Sequence, residues 1–560
     1  MFSHVDNHGL HEILIILLAT AGVIMLFLRL RLPAVLGYFT AGMLIGPYGL
    51  ALIEDNALTH MLAEFGVVFL MFSIGLEFSL GHLIRMKRTV LGLGSMQVLC
   101  TALLTAGIAI AFGLRPGNAL IVGGIIAMSS TALVVKALTE QAELHTRHGR
   151  NSVGILLFQD LMVVPFLILV SLFDESLQPA APWALVQAIA AGIATLLLFL
   201  AFGRWVLRPL FREVARFQSN ELFTLMALLA VLASAWATNS VGLSLSLGAF
   251  LAGGMFNETE FRHRIEAEIR PFKDVLLGLF FISIGMMLDV RALPTIWDSV
   301  LLLLCALLLT KLLVTFAFCR LGGANAAVAM RTALILAHGG EFGLAILLQA
   351  VDIGILGGQE GQAILASILA SMALAPLLIR HNGPIIARLM PKATRRSREE
   401  IRSKLAETAS GLAQHVIVCG HGSVGQRALE ILRQYEIPAM AIELDPDLVH
   451  HARQQGLPVA YGDAASLELL QACGLSRASA VVVSMIDFNT ALKIIRRIRS
   501  VNADIPILAR TRKELHLYQL YQAGASEVVA DTFGSDQMLT RDMLINHGLL
   551  QARESSANTR

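Results

Sequence analysis

Asp160 lies near the centre of a long apolar run that extends from Ser152 to Leu172. A carboxylate at bilayer depth costs roughly 2.5 to 3.5 kcal/mol on insertion scales. A chain therefore keeps such a group only where it is paired, solvated by a cavity or used. We predict that Asp160 is an ion or proton site, and the alternative is an aspartate that only ties neighbouring helices together.

Two other apolar segments contain polar or glycine-rich interruptions. One is interrupted by the hydroxyl side chains of Ser129, Ser130 and Thr131, and the other by the run His338-Gly339-Gly340-Glu341. Unwound backbone at membrane depth survives only where it is buried in protein or lines a cavity. The two breaks lie an odd number of segments apart, as an inverted repeat requires, so they predict crossed broken helices and a midplane transport site. Two kinks that only allow close helix packing are the alternative.

Lys311 is a third polar element inside an apolar segment, 296–319. It lies about fifteen residues into that segment, or roughly 22 Å along a helix. Three interpretations remain open. The ammonium compensates helix-end dipoles at the crossing, or pairs with Asp160 in the ion-free state, or reaches the inner face of the membrane along its flexible stem.

The composition restricts the class of protein. The chain has 560 residues, of which 56% are hydrophobic and 15% charged, and a mean hydropathy of +0.68. These values exclude an ordinary soluble domain and indicate a polytopic membrane protein in contact with lipid. The five cysteines form no C-x-x-C pair and predict neither a metal site nor a disulfide framework. The formal net charge of +2 gives no reason to expect a nucleic-acid partner.

Apolar segments predict about thirteen membrane helices, the first retained rather than cleaved as a signal. They are 11–28, 32–50, 61–78, 89–112, 118–138, 151–172, 183–203, 221–238, 242–256, 274–288, 296–319, 328–350 and 361–379. One set of alternate loops carries about seventeen basic residues and the other only Arg115 and Arg291. We therefore expect the N-terminus outside and the C-terminal part in the cytoplasm. The predicted organisation is a membrane domain over 1–380, a linker over 381–414, a soluble domain over 415–535 and a tail over 536–560.

The soluble part begins with a short apolar strand, 415–419, that is followed at once by a glycine-rich turn and a helical stretch. The turn comprises Gly420, His421, Gly422, Ser423, Val424 and Gly425. A G-x-G-x-x-G run in this context, with Glu443 at the end of the next strand, predicts a Rossmann-like α/β domain that binds a dinucleotide or related ligand. The helix N-terminus would face phosphate and Glu443 would accept from a ribose hydroxyl. Further strands are predicted at 458–461, 480–484, 505–509 and 527–530. A glycine turn without a ligand is the alternative.

Three motifs in the membrane part resemble Kef-type potassium:proton antiporters, in the second branch of the monovalent cation:proton antiporter superfamily. They occupy 156–160, 278–286 and 339–342. The resemblance implies a homodimeric inner-membrane antiporter that exchanges K⁺ for H⁺ by alternating access, and not an enzyme. The ion-site residues that it implies are Asp160, Gln159, Ser129, Ser130, Thr131, Lys311 and Glu341.

The soluble part resembles the RCK or TrkA-N regulatory domain of potassium transporters and channels. The resemblance implies that Asp463 and Ala464 contact an adenine nucleotide, either AMP or NAD(H). It also implies anion- or glutathione-binding arginines at Arg510 and Arg512, for which a solvated surface is the alternative. Glu266 and Glu268 resemble an acidic cytoplasmic loop that contacts the regulatory domain, and an ancillary cytosolic regulator is a further implied partner.

Other functions fit the sequence less well. A Na⁺/H⁺ antiporter on the same scaffold is the main alternative, although the Gln159-Asp160 pair, in place of two carboxylates, favours K⁺. A K⁺ channel lacks a filter string such as T-V-G-Y-G. An NAD-dependent oxidoreductase would need a substrate domain after the Rossmann unit, with an acid to take part in hydride transfer.

Overall fold

The structure of the protein is a computed structural model that describes residues 7–30, 32–53, 57–77, 88–141, 143–144, 146–173, 205, 207–217, 219–240, 245–257, 259–485, 487–511 and 514–530. These residues divide into two compact units. The first consists of 1–138, 151–324 and 329–383, and the second of 139–150, 325–328 and 384–560.

The first unit is built from apolar helices. In chain order, the helices of this part of the chain are α1 (Asn7–Arg29), α2 (Ala34–Ile45), α3 (Ala57–Glu77), α4 (Ser95–Ala111), α5 (Pro116–Ala127), α6 (Thr131–Glu140), α7 (Arg147–Leu172), α8 (Arg208–Arg216), α9 (Asn220–Ser240), α10 (Leu245–Asn257), α11 (Arg262–Met287), α12 (Leu293–Leu321), α13 (Ala326–Leu336), α14 (Glu341–Asp352) and α15 (Gly358–Arg380). A π-helical segment, Arg88–Gly94, leads into α4.

Each predicted membrane segment overlaps one of these helices or a broken pair, except 183–203, which lies outside the described residues. α11 begins twelve residues before its predicted segment of 274–288, and α2 and α10 are shorter than a full span. Among the described residues, seven spans are long and apolar enough to cross a membrane, and the bent pair α13–α14 makes an eighth if it counts as one span. The chain is therefore a multi-pass membrane protein. The total of about thirteen helices stays a prediction.

Both predicted interruptions are breaks between helices. Residues 128–130 separate α5 from α6, and residues 337–340 separate α13 from α14, whose axes are bent by 42°. The two breaks touch, because a β-carbon on Gly340 would overlap the backbone of Ser129 and Ser130. The Ser129 hydroxyl also donates to the Leu336 carbonyl at 3.1 Å. The interrupted helices therefore meet at their breaks, as the sequence predicted.

Replacing Gly340 with alanine should destabilise this meeting point. The added methyl group meets backbone atoms that cannot rotate away, and such overpacking costs about 1–3 kcal/mol or more. We expect a lower thermal unfolding midpoint in detergent for Gly340→Ala. Gly107→Ala is the matched control, because a β-carbon on Gly107 in α4 has no neighbouring atom within 4 Å. Equal midpoints for the two variants would contradict the close approach of the breaks.

The second unit contains a six-stranded sheet with helices on it. After α16 (Asn382–Leu389) and α17 (Pro391–Thr408) come β1 (Val416–Cys419), α18 (Ser423–Gln434), β2 (Ala439–Glu443), α19 (Pro446–Gln454), β3 (Val459–Tyr461), α20 (Leu467–Ala472), β4 (Ala480–Val483), α21 (Phe488–Arg499), β5 (Ile507–Thr511), α22 (Leu517–Gln522) and β6 (Glu527–Ala530).

The strand order is β3-β2-β1-β4-β5-β6, and every pair is parallel. This is the doubly wound order of a dinucleotide-binding fold, so the prediction of a Rossmann-like domain is confirmed. The strand predicted at 505–509 differs most from its predicted bounds, and three others are shorter by one residue. It begins at Ile507 because Pro506 has no N–H to donate to the ladder, and it continues to Thr511.

The sheet core includes two fully buried cysteines, Cys419 in β1 and Cys473 after α20. Burial raises the pKa of the Cys473 thiol to about 12. Burial is also the largest cause of a raised pKa at Cys419, with smaller contributions from Cys473 and Asp463. Both thiols are therefore packed as small apolar side chains.

Candidate functional site

Asp160 lies in the middle of α7 and only 8% of it is exposed. Its Oδ1 accepts a hydrogen bond of 2.9 Å from the Thr131 hydroxyl. Thr131 is the first residue of α6, directly after the break that follows α5. The fold thus brings the predicted carboxylate to one end of the predicted break, although the two are 29 positions apart in the chain.

Gln159 precedes Asp160 and points in a different direction, because successive helical residues differ by about 100°. Its Oε1 accepts from the Ser129 backbone N–H at 2.8 Å, and its Nε2 donates to Gln97 Oε1 at 2.8 Å. Gln159 is fully buried. Both polar ends of this side chain therefore hold the break against α4, and its role as an ion ligand stays a prediction.

Lys311 in α12 is fully buried, and its ammonium donates to two carbonyl oxygens. These belong to Ala127, at 3.2 Å, and to Met128, at the C-terminal end of α5. Carbonyls at a helix end have no partner within the helix and carry partial negative charge. Of the three interpretations made from the sequence, these contacts match dipole compensation. The interpretation that the ammonium reaches the inner face is wrong for this arrangement.

A carboxyl group lies at the N-terminal ends of the two helices that follow the breaks, α6 and α14. Glu341 is the first residue of α14 and is 4% exposed, and its Oε1 accepts from the Ala132 backbone N–H at 3.4 Å. The Ser130 hydroxyl accepts from the Leu133 N–H at 3.2 Å, which caps the first turn of α6. An acidic group thus lies where N–H groups point, and a basic group where carbonyls point.

Two further buried residues belong to this region: Gln97, which was not predicted, and His338, which was predicted only as part of a break. Gln97 in α4 holds Gln159 and also donates to the Thr101 hydroxyl at 3.2 Å. A lone amide inside an apolar segment was the signal that could have revealed it. His338 is fully buried in the second break, and its Nδ1 is 2.7 Å from the Gly339 carbonyl oxygen. Its Nε2 has no hydrogen-bond partner among the described residues.

The contacts of Lys311 predict the effect of two substitutions. Lys311→Met removes the donor and leaves buried carbonyls without a partner, which costs about 1–3 kcal/mol. We expect a lower unfolding midpoint in detergent for Lys311→Met than for Lys311→Gln, whose amide can still donate. If both variants unfold like the wild-type protein, the ammonium does not support the end of α5.

The glycine-rich turn of the second unit has the geometry of a phosphate loop. Gly420 has a φ of +100°, and a β-carbon on Gly425 would overlap the Gly420 carbonyl oxygen, so the turn requires glycine at both positions. Gly422 faces open space, and α18 begins at Ser423. The N–H groups of the first turn of α18, including that of Val424, are thus presented beside an exposed glycine, where an anion can approach.

Glu443 ends β2 and joins this loop to the next turn. Its Oε2 accepts from the His421 N–H at 2.6 Å, and its Oε1 accepts from the N–H groups of Leu444 and Asp445 at 2.7 and 2.8 Å. Burial lowers the pKa of His421, and the negative charges of Glu443 and Glu430 oppose this shift. The predicted ribose-binding carboxylate is therefore held beside the phosphate loop by backbone groups.

The remaining predicted nucleotide residues follow β3. Asp463 Oδ1 accepts from the Ala465 N–H at 2.8 Å, and Ala464 is fully buried. Arg510 lies in β5, opposite Val529 of β6, whereas Arg512 lies outside the described residues. The loops after β1, β2 and β3 therefore meet at the carboxyl edge of the sheet, which is where such folds bind ligands.

The predicted acidic loop is helical, which corrects the sequence analysis. Glu266 and Glu268 lie in α11, which begins at Arg262 and continues through Pro271. A proline removes only one helical hydrogen bond, and a packed helix tolerates Pro271 in its interior. Glu268 Oε2 accepts from the Thr224 hydroxyl of α9 at 2.5 Å, and Glu266 lies 3.8 Å from His263.

Comparison with known proteins agrees with both units. The profile of the sodium/hydrogen exchanger transmembrane family matches residues 13–381, and that of the TrkA-N domain matches residues 416–531. The chain belongs to the sodium/hydrogen exchanger family, as a Kef-type member with a TrkA-N domain. The prediction of a transporter rather than an enzyme is thereby confirmed.

Its relatives include potassium efflux antiporters. The chain is 40% identical to the putative K(+) efflux antiporter KefB of Alkalimonas amylolytica over 93% of its length and 79% of that protein. It is 36% identical to the chloroplastic K(+) efflux antiporter 1 of Arabidopsis thaliana, over 96% of this chain but 45% of that one. The sodium proton antiporter MjNhaP1 of Methanocaldococcus jannaschii matches 67% of the chain with a TM-score of 0.52 and 17% identity, covering 96% of that structure, and so shares the fold.

Proposed function

We propose that the chain is a K⁺/H⁺ antiporter of the potassium efflux type, in which Asp160 binds a cation and a proton in turn. The observation that carries this proposal is the position of Asp160, buried on α7 and bonded to Thr131 at the meeting point of two broken helices. Helix breaks expose backbone groups to a bound ion at the midplane of such transporters. The potassium efflux relatives support K⁺ as the cation.

In this mechanism, the oxygens around Asp160 take the place of water around a partly dehydrated cation. We assign hydroxyl or carbonyl contacts to Ser129, Ser130 and Thr131, in the loop between α5 and α6. Gln159 holds this loop in place and is the neighbouring ligand in the cation-bound state. When a proton neutralises Asp160 instead, the cation loses its counter-charge and leaves, so the two ions exchange. Lys311 and Glu341 keep the opposed helix ends stable while the site is empty.

The second unit is proposed to regulate this exchange by binding an adenine nucleotide, AMP or NAD(H). Phosphate would lie on the turn 420–425, ribose on Glu443 and the remaining contacts on Asp463 and Ala464. We further propose an inner-membrane homodimer with its N-terminus outside and the soluble domain, 415–535, in the cytoplasm after the linker 381–414. Glutathione, with Arg510 and Arg512 as ligands, and an ancillary cytosolic regulator that contacts Glu266 and Glu268 belong to the same proposal.

A Na⁺/H⁺ antiporter is the second candidate, because the fold matches that of a sodium proton antiporter. The two candidates differ only in the cation that occupies the Asp160 site. Proton flux in proteoliposomes, driven first by a K⁺ gradient and then by an equal Na⁺ gradient, separates them. If only the Na⁺ gradient drives proton flux, the transported cation is Na⁺ rather than K⁺, and the assigned site stays the same.

Asp160→Asn should abolish cation-driven proton flux in proteoliposomes, reducing it to the rate of protein-free vesicles. An amide neither releases a proton in this pH range nor supplies the charge that binds a cation. The control is Glu360→Gln, which removes an exposed carboxylate at the start of α15 and should leave the flux unchanged. Exchange that persists in Asp160→Asn, in protein of wild-type thermal stability, would refute the assigned site.

Glu443→Gln should weaken binding of AMP or NADH to the full-length protein by about 10- to 100-fold, because a charged acceptor of a ribose hydrogen bond is lost. Calorimetry on the purified protein in detergent measures the affinity. Asp504→Asn is the control, since this exposed carboxylate precedes β5 at the opposite edge of the sheet. Equal affinities in the two variants would remove Glu443 from the proposed nucleotide site.

A further inference from the structure

The first turn of α7 belongs to the second unit, because residues 139–150 cluster with the sheet domain. Side-chain hydrogen bonds hold this turn in place. The Thr146 hydroxyl accepts from the Gly149 N–H at 3.1 Å and so caps α7, and His148 Nε2 lies 3.0 Å from Glu143 Oε2. The cap determines how the two arginines of the turn, Arg147 and Arg150, are presented.

Arg150 forms a forked ion pair with two aspartates of the sheet domain. Its Nη1 donates to Asp445 Oδ1 and its Nη2 donates to Asp447 Oδ2. The side chains of Arg150 and Asp445 are only 21% and 25% exposed, whereas that of Asp447 is 75% exposed. Exposed single pairs contribute little, but a guanidinium that is shared by two carboxylates in a partly buried place is both stronger and more directional.

Arg147 makes a second contact one turn earlier. Its guanidinium lies 5.3 Å from the centroid of the Tyr461 ring, at the end of β3. Arg147 and Arg150 thus contact the end of β3 and the residues that follow β2, which are neighbouring strands. Glu443 and Asp463, the proposed ribose and nucleotide contacts, lie within two residues of these partners along the chain.

Asp445 connects the ion pair with the proposed ribose site. Its backbone N–H donates to Glu443 Oε1, and its Oδ1 accepts from the Asp447 N–H at 2.9 Å, which caps α19. Glu443 Oε1 already accepts two backbone N–H groups and Oε2 accepts one, so a ribose diol that binds both oxygens competes with these backbone donors. The turn 443–447 then has to adjust, and both carboxylates held by Arg150 lie in it.

On the membrane side, Arg150 and Asp160 share one continuous helix. Ten residues separate them, or about 15 Å along the axis. We propose that the fork between Arg150 and Asp445/Asp447 is the docking contact through which nucleotide occupancy at Glu443 changes the ion-carrying helix α7. This inference rests on the proposed nucleotide-binding function.

The test exchanges the charges of the fork in the full-length protein. Arg150→Glu and Asp447→Arg each place like charges together, and the double variant restores an opposite pair. Asp447 is chosen because Asp445 also caps α19. Arg402→Glu, an exposed arginine of α17 in the same unit, is the matched control. Proton flux driven by K⁺ is measured in proteoliposomes with and without AMP or NADH, and nucleotide affinity is measured on the same proteins.

We expect the effect of nucleotide on flux to fall at least about threefold in the single variants, as expected when coupled neighbours are separated. Their nucleotide affinity should change by no more than about the same factor, because coupling between two binding sites is reciprocal. The double variant should recover that effect and Arg402→Glu should retain it. Arg150→Glu with a wild-type response to nucleotide overturns the proposal, and so does a double variant that fails to recover.

Failure of the nucleotide-binding function itself gives a different result. If neither AMP nor NADH binds the wild-type protein, that function is refuted, and the contact is judged by the unfolding midpoints of the same proteins. These midpoints require neither nucleotide nor flux. Lower midpoints in both single variants and a wild-type midpoint in the double variant support the docking contact. If the midpoint of the double variant falls by the sum of the two single-variant decreases, the docking contact is refuted.

Discussion

Two interrupted helices inside an apolar environment leave backbone N–H and C=O groups without helical partners, and the first unit is arranged around satisfying them. Lys311 meets carbonyls at the end of α5, and Glu341 and Ser130 meet N–H groups at the start of α6. The Ser129 N–H is met by Gln159. Only with these partners in place can irregular backbone persist next to Asp160, so the chemistry of the carboxylate depends on them.

The elements around Asp160 differ in how rigid they are. Glycine permits the direct contact of the two breaks, since Gly340 lies against the backbone of Ser129 and Ser130. α7, in contrast, is a single helix from Arg147 to Leu172, and its one internal proline, Pro165, comes after Asp160. A continuous helix that carries the charged side chain beside two broken ones can shift as a rod, whereas the breaks supply local adaptability.

The sequence predicted those features that are local in the chain. The breaks were visible as hydroxyl and glycine runs, and the order of strands and helices was sufficient to predict the Rossmann-like sheet. Contacts between distant positions were not predictable in the same way. Gln97 and Gln159 are 62 positions apart, and nothing in either segment indicates that the two amides meet. The alternatives for Lys311 differed only in which distant atoms it reaches, so composition and spacing could not distinguish them.

The buried thiols of the sheet have a consequence for oxidative conditions. Only a thiolate attacks disulfides and electrophiles, and with a pKa of about 12 the Cys473 side chain is almost entirely protonated near neutral pH. Cys419 is equally enclosed within β1, and these are the two cysteines of the second unit. While this unit stays folded, neither of these cysteines can form a mixed disulfide. A sulfur-containing effector would therefore have to act there by reversible, non-covalent association.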